Sequence, residues 1–119
     1  MRSNRKKNQY YSKKTFSHFF NNCVIEGTVD FIFGGSNAIF NECKIISLPT
    51  RNDTYIVAPN HKSDVTQGFV FNNCQIIKNE NTKEKSVYLA RPWRDYGFVT
   101  FNNCYLDSHI KEEGFSIWE

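Results

Sequence analysis

The sequence has no long apolar run and no strong excess of charge of either sign. Its uninterrupted apolar stretches are only a few residues long, far short of the roughly 18 that cross a bilayer. No basic segment followed by an apolar one opens the chain, so neither a signal peptide nor a membrane partner is expected. Fifteen Lys and Arg residues against twelve Asp and Glu give a net charge of +3, which does not predict binding to nucleic acid. With 119 residues, 39% of them hydrophobic, the chain is expected to form one globular unit.

Acidic residues are missing from the beginning of the chain. Residues 1–21 contain no Asp or Glu, and residues 2–7 include four Lys or Arg side chains. A cluster of like charges with few apolar neighbours stays solvated rather than folded. We therefore predict a disordered basic arm over residues 1–9 and a folded domain over residues 10–119.

Aromatic and amide residues are abundant instead, with eleven Phe, six Tyr and fourteen Asn. Phe and Tyr favour strands, whereas Asn favours tight corners. They recur together in a motif, F-N-[NE]-C, found at residues 20–23, 40–43, 71–74 and 101–104. A short alternating segment that ends in an aliphatic residue follows each motif, as in a strand with one buried face. The motif therefore predicts a turn followed by a strand.

The motif spacing indicates how these strands are arranged. Successive cysteines are separated by 20, 31 and 30 residues, as in stacked repeats that are too small to bury their own apolar faces. Such repeats predict a β-solenoid in which Phe and Cys stack on equivalent residues about 4.8 Å away, with Asn at left-handed corners. The longer intervals predict loops near residues 48–53, 61–66 and 78–85.

The four cysteines admit three interpretations. Zinc sites use closely paired ligands, and disulfide frameworks belong to compact loop-rich chains, whereas each cysteine here occupies the same place in a repeat. We favour four buried thiols in an interior ladder, with one or two disulfides as the alternative and a metal site as the least supported. The three histidines, His18, His61 and His109, share no spacing and are predicted at surface or corner positions rather than as ligands.

One carboxylate stands out because apolar residues surround it. Asp30 lies in an apolar strand segment, residues 25–35, which reads IEGTVDFIFGG. Burying an unpaired carboxylate is costly, so a cationic partner is expected. Arg91 is the best candidate, since it ends the apolar segment 88–90 and its planar guanidinium suits a bidentate contact. From these residues alone, a purely structural ion pair is as well supported as a catalytic one.

These two segments resemble the signatures of a known family, the pectinesterases. Residues 27–34, GTVDFIFG, are similar to the family's nucleophile signature, and residues 88–93, YLARPW, to its Y-L-G-R-P-W motif. The motif strands and the closing residues 107–118 also resemble the C-terminal half of that family, so the similarity extends over about residues 10–118. It implies an all-β fold, a right-handed single-stranded parallel β-helix that lacks its N-terminal coils.

The resemblance implies an aspartyl esterase, a hydrolase that demethylates the methyl-esterified galacturonate of pectin in pectin degradation and cell wall modification. Asp30 matches the nucleophile that attacks the ester carbonyl, after which methanol leaves and water resolves the acyl-enzyme. Arg91 matches the arginine that holds this aspartate in its charged form, and Trp93 and Phe33 match aromatic residues that bind the sugar. The same resemblance implies no cofactor and no metal, pectin as the partner, a monomer when complete, and a secreted protein that acts in the extracellular space or cell wall.

The sequence also departs from the family pattern. The family carries a Gln-Asp-Thr motif before the nucleophile strand, whose Gln stabilises the oxyanion and whose Asp acts as general acid and then base. At the corresponding place, residues 8–11, this chain reads Asn-Gln-Tyr-Tyr. Since a general acid contributes about 10^2 to 10^4 in rate, we expect little activity, and we interpret the chain as the C-terminal fragment of a pectinesterase domain. Ala90 in place of the family's Gly is a smaller change, tolerable unless this position needs a positive φ.

Two other functions stay open. A non-catalytic carbohydrate-binding β-solenoid would use the aromatic platform of Trp93 and Phe33 and would need no acid. A pectate lyase would need a calcium site with clustered carboxylates, whereas Asp53, Asp64 and Asp95 are scattered along the chain. The binding solenoid is therefore the stronger of the two alternatives.

Overall fold

The computed structural model describes residues 18–61, 68–91 and 98–116 of the chain. The predicted arm over residues 1–9 and most of the predicted loop 61–66 lie outside these ranges. The strands, in chain order, are β1 (His18–Asn21), β2 (Val24–Gly27), β3 (Ile32–Gly34), β4 (Ala38–Asn41), β5 (Lys44–Ser47), β6 (Thr54–Pro59), β7 (Phe69–Asn72), β8 (Gln75–Lys78), β9 (Val87–Ala90), β10 (Val99–Asn102) and β11 (Tyr105–Leu106). Within the same ranges no helix is long and apolar enough to cross a membrane.

The strands form three parallel sheets that wind as successive coils. The sheet orders are β10-β7-β4-β1, β11-β8-β5-β2 and β9-β6-β3, and the neighbouring strands pair in parallel. The first three coils therefore each contribute one strand to every sheet, and β10 and β11 belong to the fourth. This arrangement is a parallel β-helix, which confirms the fold class that the repeat and the resemblance indicate.

The phenylalanines of the motif form a stack through the interior of the coils. They occupy equivalent register positions in the first sheet: Phe20, Phe40, Phe71 and Phe101. Their ring centroids are 4.8, 4.4 and 4.7 Å apart, and the rings are within 10° of parallel. These separations are close to the spacing of neighbouring parallel strands. The stack is therefore a direct consequence of the sequence repeat.

The two residues after each Phe have separate roles at the corner. The amides of the first residue hydrogen-bond between coils at 3.1 and 2.9 Å, in the pairs Asn41–Asn21 and Asn102–Asn72. The second residue has a φ between 53° and 58° in all four motifs: Asn22, Glu42, Asn73 and Asn103. Asn adopts this left-handed conformation more readily than most residues. The predicted left-handed corners are thus confirmed, and they turn the chain from the first sheet into the second.

The four cysteines are free thiols at equivalent places in the coils. Cys43 and Cys74 are buried, whereas Cys23 and Cys104 in the outermost described coils are partly exposed. Three thiols donate to a backbone carbonyl of the preceding coil at 3.4 to 3.5 Å, in the pairs Cys43–Phe20, Cys74–Phe40 and Cys104–Phe71. Burial raises the pKa of the Cys43 thiol. The structure therefore contains the thiol ladder that the sequence favours, but only two of the four predicted thiols are fully buried.

Loops between strands account for the unequal motif spacing. Residues 48–53 join β5 to β6, and residues 79–86 join β8 to β9, close to two of the predicted loops. In the first coil only residues 28–31 join β2 to β3. The first coil is therefore the most compact one, and its short corner carries Asp30.

Two of the three histidines lie outside the strands, as a corner position implies, but the prediction of a surface position is wrong for them. His61 and His109 are fully buried. In His61, Nδ1 accepts a hydrogen bond from the Phe98 N–H at 3.2 Å, so Nε2 carries the proton and donates to the Ser36 carbonyl at 2.8 Å. Burial lowers the pKa of both imidazoles. The folded protein therefore favours their neutral forms.

We expect the free energy of unfolding to decrease as the pH falls below about 6.5, the ordinary pKa of histidine. Below this pH, His61 and His109 bind protons in the unfolded chain, whereas in the folded chain burial keeps them neutral to a lower pH. The stabilisation is complete above the ordinary pKa and is lost as the pH falls towards the lowered pKa of the folded state. The slope is at most about 1.4 kcal/mol per pH unit for each histidine. Urea denaturation followed by circular dichroism between about pH 5 and 7.5 measures this slope.

A matched pair of variants assigns the effect to a buried ring. His61→Gln does not titrate in this range, so it should reduce the slope and leave the contribution of His109. His18→Gln replaces an exposed histidine and is the control for the same substitution outside the core. A stability that stays constant or increases on acidification contradicts the assignment.

Candidate active site

Asp30 lies at the corner between β2 and β3, so its predicted place within a strand is wrong. Its φ is 49°, in the left-handed region that Asp tolerates because its short polar side chain bonds locally. The Asp30 N–H donates to the Tyr55 carbonyl at 2.8 Å. The carboxylate is 21% exposed. The Asp30 carboxylate is thus partly buried at a corner, and a backbone hydrogen bond from Asp30 to the neighbouring coil fixes the position of this corner.

Arg91 makes the ion pair that the sequence predicts. Its Nε and Nη2 donate to Oδ1 and Oδ2 of Asp30 at 3.1 and 2.5 Å. Arg91 directly follows β9, and its N–H donates to the Val57 carbonyl of β6 at 2.9 Å. Hydrogen bonding to Asp30 raises the pKa of Arg91, which is already high. Because bidentate charge-assisted bonds are directional, the carboxylate is held in one orientation.

Tyr55 contacts this ion pair, and sequence reasoning missed it. Cζ of Arg91 lies 4.1 Å from the centroid of the Tyr55 ring. Tyr55 on β6 is in register with Tyr88 on β9, and their rings are 5.2 Å apart and 9° from parallel. Both tyrosines are the second residue of their strands. That shared position was the one available signal, but it can be recognised only once the register between the two coils is known.

A groove of about 410 Å³ opens beside the carboxylate. Its described lining residues are Asp30, Phe33, Gly34, Ala58 and Asn60. Phe33 is 73% exposed, and a large apolar ring exposed beside a groove is typical of a contact site. The structure therefore brings Asp30, Arg91 and Phe33 together. Trp93, the fourth predicted site residue, lies outside the described residues.

The groove contains the elements of nucleophilic chemistry. Among its described lining residues Asp30 is the one with an ionisable side chain. A carboxylate held by a guanidinium in a largely apolar groove can attack a carbonyl carbon. In the parts of the chain that the structure describes, no group of three or more His, Cys, Asp or Glu side chains is placed to hold a metal ion. Ala90 is a buried residue of β9, so the replaced glycine position is an ordinary strand position.

Comparisons with known proteins agree on one family. A sequence model of the family described as Pectinesterase matches residues 6–119. A pectinesterase of Petunia integrifolia is 32% identical over 111 residues, which cover 87% of this chain and 30% of that protein. The crystal structure of a pectin methylesterase from Aspergillus niger superposes with a TM-score of 0.76 at 33% identity, covering 85% of this chain and 33% of that one.

A further solved structure is a pectin methylesterase in complex with a hexasaccharide. It superposes with a TM-score of 0.74 at 31% identity and covers 85% of this chain and 34% of that one. The chain therefore spans about a third of the length of each of these three relatives.

Proposed function

The chain belongs to the pectinesterase family, and on that premise we propose that its site hydrolyses the methyl esters of galacturonate in pectin. The observation that carries the proposal is the bidentate ion pair between Asp30 and Arg91 beside a groove. A carboxylate that a guanidinium holds in one orientation beside a groove is placed as a nucleophile requires. Because the relatives are pectinesterases, we propose that this carboxylate attacks the carbonyl carbon of a methyl ester.

The reaction that these residues support has two steps. In the first, a carboxylate oxygen of Asp30 bonds to the ester carbonyl carbon, the bond to the methoxy oxygen breaks, and methanol leaves with a proton from the solvent. In the second, water attacks the resulting anhydride and the bond between the acyl carbon and the Asp30 oxygen breaks. This step releases the galacturonate carboxylate, restores the Asp30 carboxylate and passes both protons of the water to the solvent. Arg91 stabilises the carboxylate before attack and again after release.

The aromatic residues support binding of the sugar. Phe33 is exposed beside the carboxylate, and a flat apolar ring suits the apolar face of a pyranose. We assign the same role to Trp93 from the resemblance. Because pectin is a component of the cell wall, we further propose that the protein acts in the extracellular space or cell wall.

The groove offers little support for fast hydrolysis of the ester. Its described lining holds no second ionisable side chain that could serve as general acid, and the family's Gln-Asp-Thr motif has no counterpart at residues 8–11. A general acid contributes about 10^2 to 10^4 and an oxyanion donor about 10^2 to 10^3 in rate. We therefore expect slow turnover, and this feature favours a pectin-binding solenoid as the second candidate function.

The test is methanol release from highly methyl-esterified pectin at protein concentrations above that of the ester. We expect release above the uncatalysed rate, with no change in the length of the pectin chains. De-esterified pectin is the matched control substrate and should yield no methanol. If a folded chain binds esterified pectin and releases nothing, the binding solenoid is the correct function, whereas shortened chains with unsaturated ends would support a lyase.

A further inference from the structure

We infer that Tyr55 is a positioning residue, which holds Asp30 through its backbone and Arg91 through its ring. The consequence for turnover rests on the proposed function, whereas the positioning itself does not. Tyr55 does not line the described part of the groove. It therefore acts through the ion pair rather than on a bound ligand.

The ring of Tyr55 restricts the guanidinium. Cζ of Arg91 is 4.1 Å from the ring centroid, well inside the roughly 6 Å over which a cation is attracted to an aromatic face. The side chain of Arg91 is 21% exposed, so water screens this attraction only in part. An arginine side chain has several rotatable bonds, and a flat surface beneath the guanidinium limits the planes that it can adopt.

The backbone of the same residue holds the other partner. The Tyr55 carbonyl accepts the N–H of Asp30 at 2.8 Å, and two residues further along β6 the Val57 carbonyl accepts the N–H of Arg91 at 2.9 Å. One strand therefore sets the positions of both backbones that carry the ion pair. Asp30 is in a left-handed conformation, which persists only when its surroundings support it.

A column of side chains keeps the Tyr55 ring in place. Tyr88 stacks against it at 5.2 Å, and Nζ of Lys111 lies 5.2 Å from the centroid of the Tyr88 ring. With Tyr88 packed beside it, the Tyr55 ring cannot leave Arg91 without breaking its contact with the neighbouring ring. The column thus connects the ion pair to the third and fourth coils.

The first experiment observes Arg91 directly, by the solvent exchange of its Nε–H in NMR spectra. Arg91→Lys identifies the signal by removing it. Tyr55→Leu should accelerate the exchange roughly three- to thirtyfold, as expected for loss of a cation–π contact, whereas Tyr55→Phe keeps the ring and should preserve the slow exchange. Tyr88→Leu is the graded comparison: it leaves Tyr55 against Arg91 but removes the ring packed beside it, so it should accelerate the exchange less than Tyr55→Leu does. If Tyr55→Leu does not fold, Tyr55→Met takes its place.

The exchange rates distinguish a specific effect of the Tyr55 ring on Arg91 from a general loosening of the structure around the ion pair. The inference is overturned if Tyr55→Phe exchanges as fast as Tyr55→Leu, because the ring face would then not be responsible. It is equally overturned if Tyr88→Leu matches Tyr55→Leu, or if no variant changes the exchange. Where the wild-type chain releases methanol, Tyr55→Leu should lower kcat by the same three- to thirtyfold with little change in KM. A wild-type chain without turnover refutes the proposed function, and the NMR comparison still decides the role of Tyr55.

Discussion

Replacing Asp30 with Asn is expected to lower methanol release from esterified pectin by at least about 10^3-fold, since Asp30 is the proposed nucleophile and its loss eliminates the covalent route. The amide cannot attack the ester carbonyl, and it leaves the Arg91 guanidinium without its anionic partner at this position. Asn is preferred to Ala because position 30 has a φ of 49°, which Asn tolerates. The measurement is methanol release under single-turnover conditions, with circular dichroism confirming the β-structure of both proteins.

The matched control is Asp53→Asn. Asp53 is also an ion-paired aspartate, bonded to Lys111 at 2.9 Å, but it is 51% exposed and lies outside the described lining of the groove. Its variant should release methanol within about twofold of the wild type, since exposed ion pairs contribute little. Comparable release by Asp30→Asn and the wild type would show that another group carries the reaction.

Phe71→Ala is expected to destabilise the fold by about 3 to 5 kcal/mol. Phe71 is completely buried and stacks between Phe40 and Phe101 at 4.4 and 4.7 Å. The substitution opens a cavity and breaks the aromatic stack at both of its contacts. Because domains of this size are stable by only about 5 to 15 kcal/mol, the loss is a large part of the total. Urea denaturation gives the change in the free energy of unfolding.

Phe33→Ala removes the same side chain from a position that is 73% exposed. Its stability should stay within about 0.5 kcal/mol of the wild type. Phe71→Leu fills part of the cavity and serves if the alanine variant does not fold. A cost below about 1 kcal/mol for Phe71→Ala would show that the stack does not stabilise the coils.

The repeated motif made most of the fold predictable. A residue that recurs at the same place in each coil stacks on its own copies, so the F-N-[NE]-C pattern predicted the Phe stack, the interior thiols and the left-handed corners without knowledge of the loops. The apolar surroundings of Asp30 predicted its ion pair with Arg91, 61 residues away in sequence, and the family resemblance added the roles that we propose for the two residues. The resemblance also predicted a sugar-binding role for Phe33, which lies in the same signature and lines the groove beside Asp30.

The sequence by itself determined the coil architecture, because a periodic pattern of strand and corner residues allows one parallel register to stack the four motif phenylalanines on one another. The tertiary structure alone decided three features that have no repeat. It placed Asp30 on a corner instead of in a strand, it buried His61 and His109, and it brought Tyr55 against Arg91. Each of these features depends on contacts between the non-repeated residues of neighbouring coils, whose loops differ in length. Such contacts leave no periodic signal in the sequence.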